Sequence, residues 1–512
     1  MVNYTNKNRA THNALKNEVA GKASMLEVRQ FYGVYKQVVR QLNRTKMKLL
    51  TTLFFSLLTT CSFGQKSNTL EKPKVDERIE ILSIVFRLAD SREYSSEWFK
   101  LYTDKIQAHY KPYKNHELIT FIKKLREENS VSYDAVMSMA IHLDNKFNPL
   151  VEFTDKIPDE RWGKDNAYKF VKLLKKFYKE SNSKKFFKEN QNLYKNVGKK
   201  FLPIYEHLDL TWYTTFYGKE PTEKFIIVNG LGNGGGNYGT SITFSNGKRE
   251  VYAIMGTWSV DSLGMTKFDL NDYFPTLLHE FNHSFVNYLL EKNPDPFRES
   301  GEKIYQVVEN EMSSQAYGNW KIMLNEALVR ASVIKYMKDH KFSDKEIQDE
   351  INKQLNRSFL WIEELVAELE KYDQQRNIYP TLENYLPNII NAYDGYARNI
   401  DNYLIKFDEK RPKVVSINEF TNGDQNIDPS LKQITINFDK QLLGKGYSIN
   451  YGDSKETFPN MKTFNYSDDK KSIIIGWELE NNKTYNFVLT GLSFKTPNGV
   501  SMKDYTINFK TK

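Results

Sequence analysis

The stretch from Phe274 to Leu290 constrains this chain more than any other, because it reads as a helix that has to meet a second element to complete its chemistry. Leu277, Leu278, Phe281, Phe285, Leu289 and Leu290 recur at helical spacing, and Pro275 stands near the start, where its missing N–H costs nothing. The same stretch carries His279-Glu280-Phe281-Asn282-His283. Residues four apart on a helix sit one above the other, so both imidazoles can reach one metal ion while Glu280, one residue on, points at its bound water. A site that keeps a water on the metal needs a third protein ligand from elsewhere in the chain. The bland alternative is a pair of surface histidines on an amphipathic helix. With only 8 histidines in 512 residues, that spacing seldom arises by chance.

A chain of 512 residues exceeds one ordinary domain, and 40% hydrophobic with 14% aromatic content is ample for a sizeable core. Two or three units are expected. The net charge of +9 does not mark a nucleic-acid binder, because Lys and Arg are interleaved with Asp and Glu and no face declares itself basic. It reads as solubility. The densest run, Lys169 to Lys200 around Phe170, Leu173, Leu174, Phe177 and Tyr178, reads as a solvated helix face, with contact to an anionic surface as the sharper alternative. The only cysteine is Cys61, so no disulfide can form within the chain.

Residues 1–46 are polar and basic and read as an over-extended, disordered start, with Met47 as the expected initiator. Residues 47–64 read as a secretory signal peptide: Lys46 and Lys48 are the positive region, Leu49 to Thr60 a short apolar region, and Ser62 and Gly64 the small residues before a cut at Gln65. That run is too short to span a membrane as a stable helix, so no transmembrane helix is expected in the mature chain. Leu58-Thr-Thr-Cys61 also resembles a bacterial lipobox, with Thr60 where Gly, Ala or Ser is usual. Soluble export and lipid anchoring through Cys61 both place the mature protein outside the cytoplasm: periplasmic, on the cell surface or secreted.

A polar leader, residues 65–74, precedes an amphipathic helix over Val75 to Ala89. Further helices are expected over 96–109, 116–128, 133–143 and the Lys-rich run; His109, His116, His142 and His207 stand there singly and read as surface or core residues rather than ligands. Strands follow over 224–229, 240–244 and 249–255, with Asn246-Gly247 as a hairpin signal. Gly230-Leu-Gly-Asn-Gly-Gly235 matches Gly-x-Gly-x-x-Gly formally, but a phosphate-cradling loop must open a helix and this one leads to another strand. It reads as a turn or rim beside the site. Beyond the histidines, Trp320 to Ile334 reads as a helix with Glu326 on its border, the expected third ligand; the alternative is a helical ion pair of Glu326 with Arg330. Helices continue to Asp401, 408–412 reads as a linker, and from 413 to 512 alternating apolar residues separated by turn clusters predict a small antiparallel β-sandwich.

His279-Glu280-x-x-His283 with Asn325-Glu326 downstream resembles the gluzincin metallopeptidases. More closely, Val75 to Ala89, the Gly-rich hairpin, the histidine helix, Asn325 to Ala331 and Arg376 to Pro387 resemble a functionally unassigned family of secreted bacterial proteins with a gluzincin core, over about residues 73–407. The last hundred residues are similar to bacterial Ig-like domains through Pro412-Lys-Val-Val-Ser, Asp428-Pro-Ser-Leu, Ile434 to Asp439 and Tyr466 to Ser472, and read as a spacer or surface-attachment module. The expected fold is therefore α+β: a predominantly helical zincin metallopeptidase domain with a small β-sheet over 75–407, followed by an all-β Ig-like sandwich over 413–512. One departure stands out, because thermolysin-type enzymes carry Asp four residues after the ligand Glu to orient a histidine and this chain has Arg330.

The resemblance implies Zn2+ held by His279, His283 and Glu326, with Glu280 as general base for a zinc-activated water and a protein or peptide as substrate. The oxyanion needs a further donor, for which Tyr317, Arg330 and Tyr379 are the candidates. The strand Glu250 to Gly256 is expected to be an edge strand that binds an extended peptide by β-addition. Two other readings stay open: a zinc-dependent hydrolase of a non-peptide amide or ester, and an inactive zincin-fold binding or adhesion protein.

Overall fold

The computed structural model describes residues 70–220 and 223–512. The expected start, the signal peptide with Cys61, and residues 65–69 of the leader lie outside them. Among the described residues no helix is long and apolar enough to cross a membrane.

A three-stranded sheet lies between two helical bodies. Its strands are β1 (Lys224–Gly230), β2 (Tyr238–Thr243) and β3 (Arg249–Gly256). Side chains alternate across a strand, and here both faces are buried. Phe225, Ile227, Val251, Ala253 and Met255 point into one core, whereas Ile226, Val228, Tyr252 and Ile254 point into the other. That explains why the strands read as near-continuous apolar runs. The order is β1-β3-β2, with β3 parallel to β1 and antiparallel to β2. The strand expected at the edge, residues 250–256, is therefore the centre of the sheet, and β2 is the exposed edge. The Gly-rich segment turns from β1 into β2, as expected of a strand-to-strand connection. Its Leu231 and Gly232 N–H groups donate to the Glu80 carboxylate at 2.6 and 3.1 Å, and Glu80 is fully buried.

Glu80 belongs to α1 (Glu77–Leu88), which Asp76 caps by accepting from the Arg78 N–H. Around α1 pack α2 (Lys100–Tyr110), α3 (Glu117–Asn129), α4 (Asp134–Ile141), α5 (Lys164–Glu180), α6 (Ser183–Glu189) and α7 (Gln191–Glu206). In α5, Phe170, Leu174 and Phe177 are buried while Lys169, Lys172, Lys175, Lys176 and Lys179 are exposed, the solvated face expected of the Lys-rich run.

On the other side of the sheet lie α8 (Leu210–Tyr217), α9 (Leu270–Glu291), α10 (Arg298–Ser314), α11 (Trp320–Asp339), α12 (Asp344–Asn356), α13 (Ile362–Gln374) and α14 (Leu382–Lys410). The histidine helix α9 starts earlier than its apolar pattern suggests. Asp269 caps it, so Pro275 sits in the second turn and removes an internal hydrogen bond instead of occupying a cost-free first-turn position.

The final hundred residues form two antiparallel sheets. One is β4 (Val414–Ile417), β5 (Gln433–Phe438), β8 (Ser472–Glu478) and β7 (Asn460–Tyr466); the other is β10 (Tyr505–Lys510), β9 (Thr484–Leu489) and β6 (Ile449–Tyr451). Ile434, Ile436, Ile473, Ile475, Phe487 and Ile507, all from alternating positions, share one core. The architecture is mixed α+β. The linker expected over 408–412 is shorter, because α14 runs through Lys410. This β unit also grips α12. Asn352 and Asn356 side chains donate to the Asn498 and Gly499 carbonyls, both at 2.7 Å, and the Ser501 N–H donates to Asn356 Oδ1 at 2.9 Å. Val500, on the same loop, enters the core of the helical body.

Candidate metal centre

Helices α9 and α11 are held in register by Asn282, which is completely buried. Its amide donates to the Val329 carbonyl at 3.4 Å and accepts from the Tyr217 hydroxyl at 3.0 Å. A buried amide is stable only when paired. Here the pairing turns His279 and His283 of α9 toward Glu326 of α11, and among the described residues these three form the only cluster of the kind that holds a metal ion.

The distances test whether an ion fits. His279 Nε2 lies 3.1 Å from His283 Nε2. Glu326 Oε2 is 3.6 Å from His279 Nε2, and Oε1 is 3.5 Å from His283 Nε2. A tetrahedral zinc with bonds of about 2.0–2.1 Å separates its ligand atoms by roughly 3.4 Å. The carboxylate meets each imidazole through a different oxygen near that spacing, and one ligand atom from each residue lies within 4.8 Å of the others, which suits an ion once the carboxylate turns toward it. Tautomers agree with it. The Asn287 amide oxygen lies 3.1 Å from His283 Nδ1; in the tautomer that donates Nδ1–H to it, the Nε2 lone pair is left on the side of His279. Burial, followed by the charge of Arg330, holds the His279 pKa well below its ordinary value. The doubly protonated form of His279 is thereby disfavoured, so its neutral ring keeps one nitrogen lone pair with which to coordinate a cation.

Arg330 resolves the departure noted in the sequence. Its Nη2 donates to Glu326 Oε2 at 2.8 Å and to the Tyr317 hydroxyl at 2.7 Å, while Nη1 donates to Gln354 Oε1 at 3.0 Å. The residue four after the glutamate thus orients the Glu326 carboxylate, and Asn287 orients a histidine. Tyr317, whose oxygen accepts from Arg330, lines the same cleft as the three ligands. Burial raises its phenol pKa, so the hydroxyl keeps its proton. Tyr379 is not brought there. Its ring packs on Tyr385 at 4.9 Å, and it does not line the cleft.

Glu280 faces the cleft between the ligands and β2. Burial pushes its carboxyl up to about 7. The backbone of Gly239, on the β2 edge, passes so close that a Cβ there would overlap Glu280 Oε2. Asn237 to Ser241 line the cleft along that edge. The single histidines lie elsewhere: His109, His142 and His207 bond main-chain carbonyls, and His116 caps α3.

Sequence reasoning missed three contributors. Asn287 could have been found, since it sits one turn beyond His283 on the same face. Asn282 lies inside the motif but at a variable position. Gln354 comes from α12, and no local pattern links that helix to the histidines.

No curated protein matches this chain. Among solved structures, domains 1–6 of the surface layer protein SbsC are 14% identical with a TM-score of 0.16, covering 46% of this chain and 33% of that one. The N-terminal part of the bacterial S-layer protein SbsC is 14% identical with a TM-score of 0.16, covering 47% of this chain and 58% of that one. The chain thus spans a third to somewhat over half of those surface-layer structures, and likenesses at that TM-score carry no argument. A family model described as a domain of unknown function, DUF4932, matches residues 72–392, from just before α1 into α14. The match covers more than half of the sequence and takes in His279, His283 and Glu326, and the chain belongs to the DUF4932 family.

Proposed function

We propose that this protein is an exported, zinc-dependent metallopeptidase of the gluzincin kind. The observation that supports it most is the ligand triangle of His279, His283 and Glu326 with Glu280 beside it, in a cleft bordered by a sheet edge. When bound, zinc supplies a Lewis acid that polarises a carbonyl oxygen and brings the pKa of water down to about 7. Glu280 takes the proton of the attacking water and returns it to the leaving amine. Tyr317, held by Arg330, donates its hydroxyl to the developing oxyanion. Arg330 acts by fixing Glu326 and Tyr317. The main chain of β2 offers its open edge to an extended peptide. The cleft, about 910 Å³, is large enough for several residues of such a strand.

The C-terminal two-sheet unit is proposed to be an Ig-like sandwich that attaches the protein at the cell surface, consistent with a signal peptide or a lipid anchor upstream. A protease assay on an unfolded protein, with and without chelator and beside Glu280→Gln, tests the reading. Chelator-sensitive cleavage that is lost in Glu280→Gln is expected. Cleavage indifferent to both, or none at all, overturns it.

A further inference from the structure

Most cations that line the cleft have an acidic partner. Arg161 pairs with Asp134 at 2.8 Å, Arg330 with Glu326 at 2.8 Å, Lys353 with Glu350 at 3.2 Å and Arg249 with Glu223 at 3.8 Å. Arg357 has none. It follows the last turn of α12, its side chain lines the same cleft as the metal ligands, and among the described residues its guanidinium has neither a carboxylate nor a hydrogen-bond acceptor. Burial and the neighbouring Arg330 press against its charge more than Tyr317, Glu350 and Glu326 favour it. The local acids are already engaged: Glu350 accepts from Lys353 and from Gln354, and Glu326 from Arg330. A half-buried guanidinium without a protein acceptor, next to a cleft proposed to bind a peptide, is stabilised by an incoming carboxylate, the anionic group an unmodified peptide carries, because the two match as a planar fork.

We propose that Arg357 is a carboxylate-binding subsite, and that substrates carry a carboxylate near the scissile bond. The source is a C-terminal α-carboxylate or an Asp or Glu side chain, which share this chemistry. The inference rests on the peptidase reading for its substrate class. Its test is a binding measurement, so that the two fail separately. The zinc-loaded full chain carrying Glu280→Gln is titrated, by fluorescence anisotropy, with one labelled peptide in three forms: free acid, C-terminal amide, and amide with an internal Glu. A carboxylate is expected to tighten binding about 10- to 100-fold over the plain amide, with Arg357→Ala removing the difference and Arg357→Lys restoring part of it. Tighter binding of the free acid assigns the terminal carboxylate, and tighter binding of the internal-Glu amide assigns the side chain. Equal binding of all three forms, or a preference untouched by Arg357→Ala, overturns the subsite while leaving the peptidase reading standing. Failure of every peptide to bind overturns both.

Discussion

Replacing Gly239 by Ala isolates the role of Glu280 better than replacing Glu280 itself. A methyl group at this edge position would overlap Glu280 Oε2 and meet the Glu280 carbonyl oxygen at 3.4 Å. The overlapping atom is the end of a flexible side chain, so the carboxylate moves and the backbone stays. Restoring van der Waals separation requires a displacement of about 1 Å, and a misplacement of that size costs roughly 100-fold in rate, or about 2.7 kcal/mol of barrier. Stability should hardly change, because Gly in a strand interior is itself unfavourable by roughly 0.5–1 kcal/mol relative to Ala. Initial rates on a quenched fluorescent peptide, zinc content and a thermal melt are measured on the same preparations. The expected result is a rate loss of about two orders of magnitude with zinc content and melting unchanged. In a Glu280→Gln background the same substitution should add little, since neighbouring groups that act as a unit are not additive. Full activity in Gly239→Ala, or an equal loss in both backgrounds, refutes the placement of the base against β2.

Asn287→Ala removes the acceptor of the His283 Nδ1 proton and should weaken zinc about 10- to 100-fold, as read by competition with a chromophoric chelator. Glu80 gives the fold a pH dependence, because burial raises its carboxyl from 4.5 to about 7. The folded state then holds a proton that the unfolded state releases, so its contribution is fully present below about pH 4.5 and is lost as pH rises through about 7, up to roughly 3 kcal/mol. Urea unfolding of wild type against Glu80→Gln should show the difference in stability shrinking by that order between pH 4.5 and 8, and a constant difference would contradict the assignment. Asn356→Ala strands the Gly499 carbonyl and the Ser501 N–H and should cost about 1–3 kcal/mol by denaturant titration. If it costs nothing, the C-terminal unit does not brace α12.

Local patterns were legible where one element carries the whole signal. The apolar spacing of α9 marked the helix, and the His279/His283 interval marked the side that meets Glu326. Glu326 could be proposed because α11 is itself periodic. The position of the β-strands was readable from their apolar runs, but their order was not. Sheet order depends on which strand pairs with which, and the sequence neighbour of α9, β3, proved to be the central strand while β2 holds the edge. Pro275 was misplaced for a related reason: the apolar stripe begins at the buried part of α9, whereas its start is set by the Asp269 cap. Tyr379 and Tyr317 look alike in sequence, and only the packing of Tyr379 on Tyr385 separates them. Gln354, Lys353 and Arg357 entered the cleft through the docking of α12, partly held by a loop of the β unit far along the chain. No spacing rule encodes that.

The most direct test of the central claim is zinc stoichiometry. The purified chain is equilibrated with zinc, freed of excess by dialysis and measured by elemental mass spectrometry, beside Glu280→Gln, His283→Ala and Glu326→Ala. One zinc per chain is expected for wild type and Glu280→Gln, with loss in the other two. Zinc absent from wild type, or retained unchanged when His283 or Glu326 is removed, would contradict the metal centre and everything built on it.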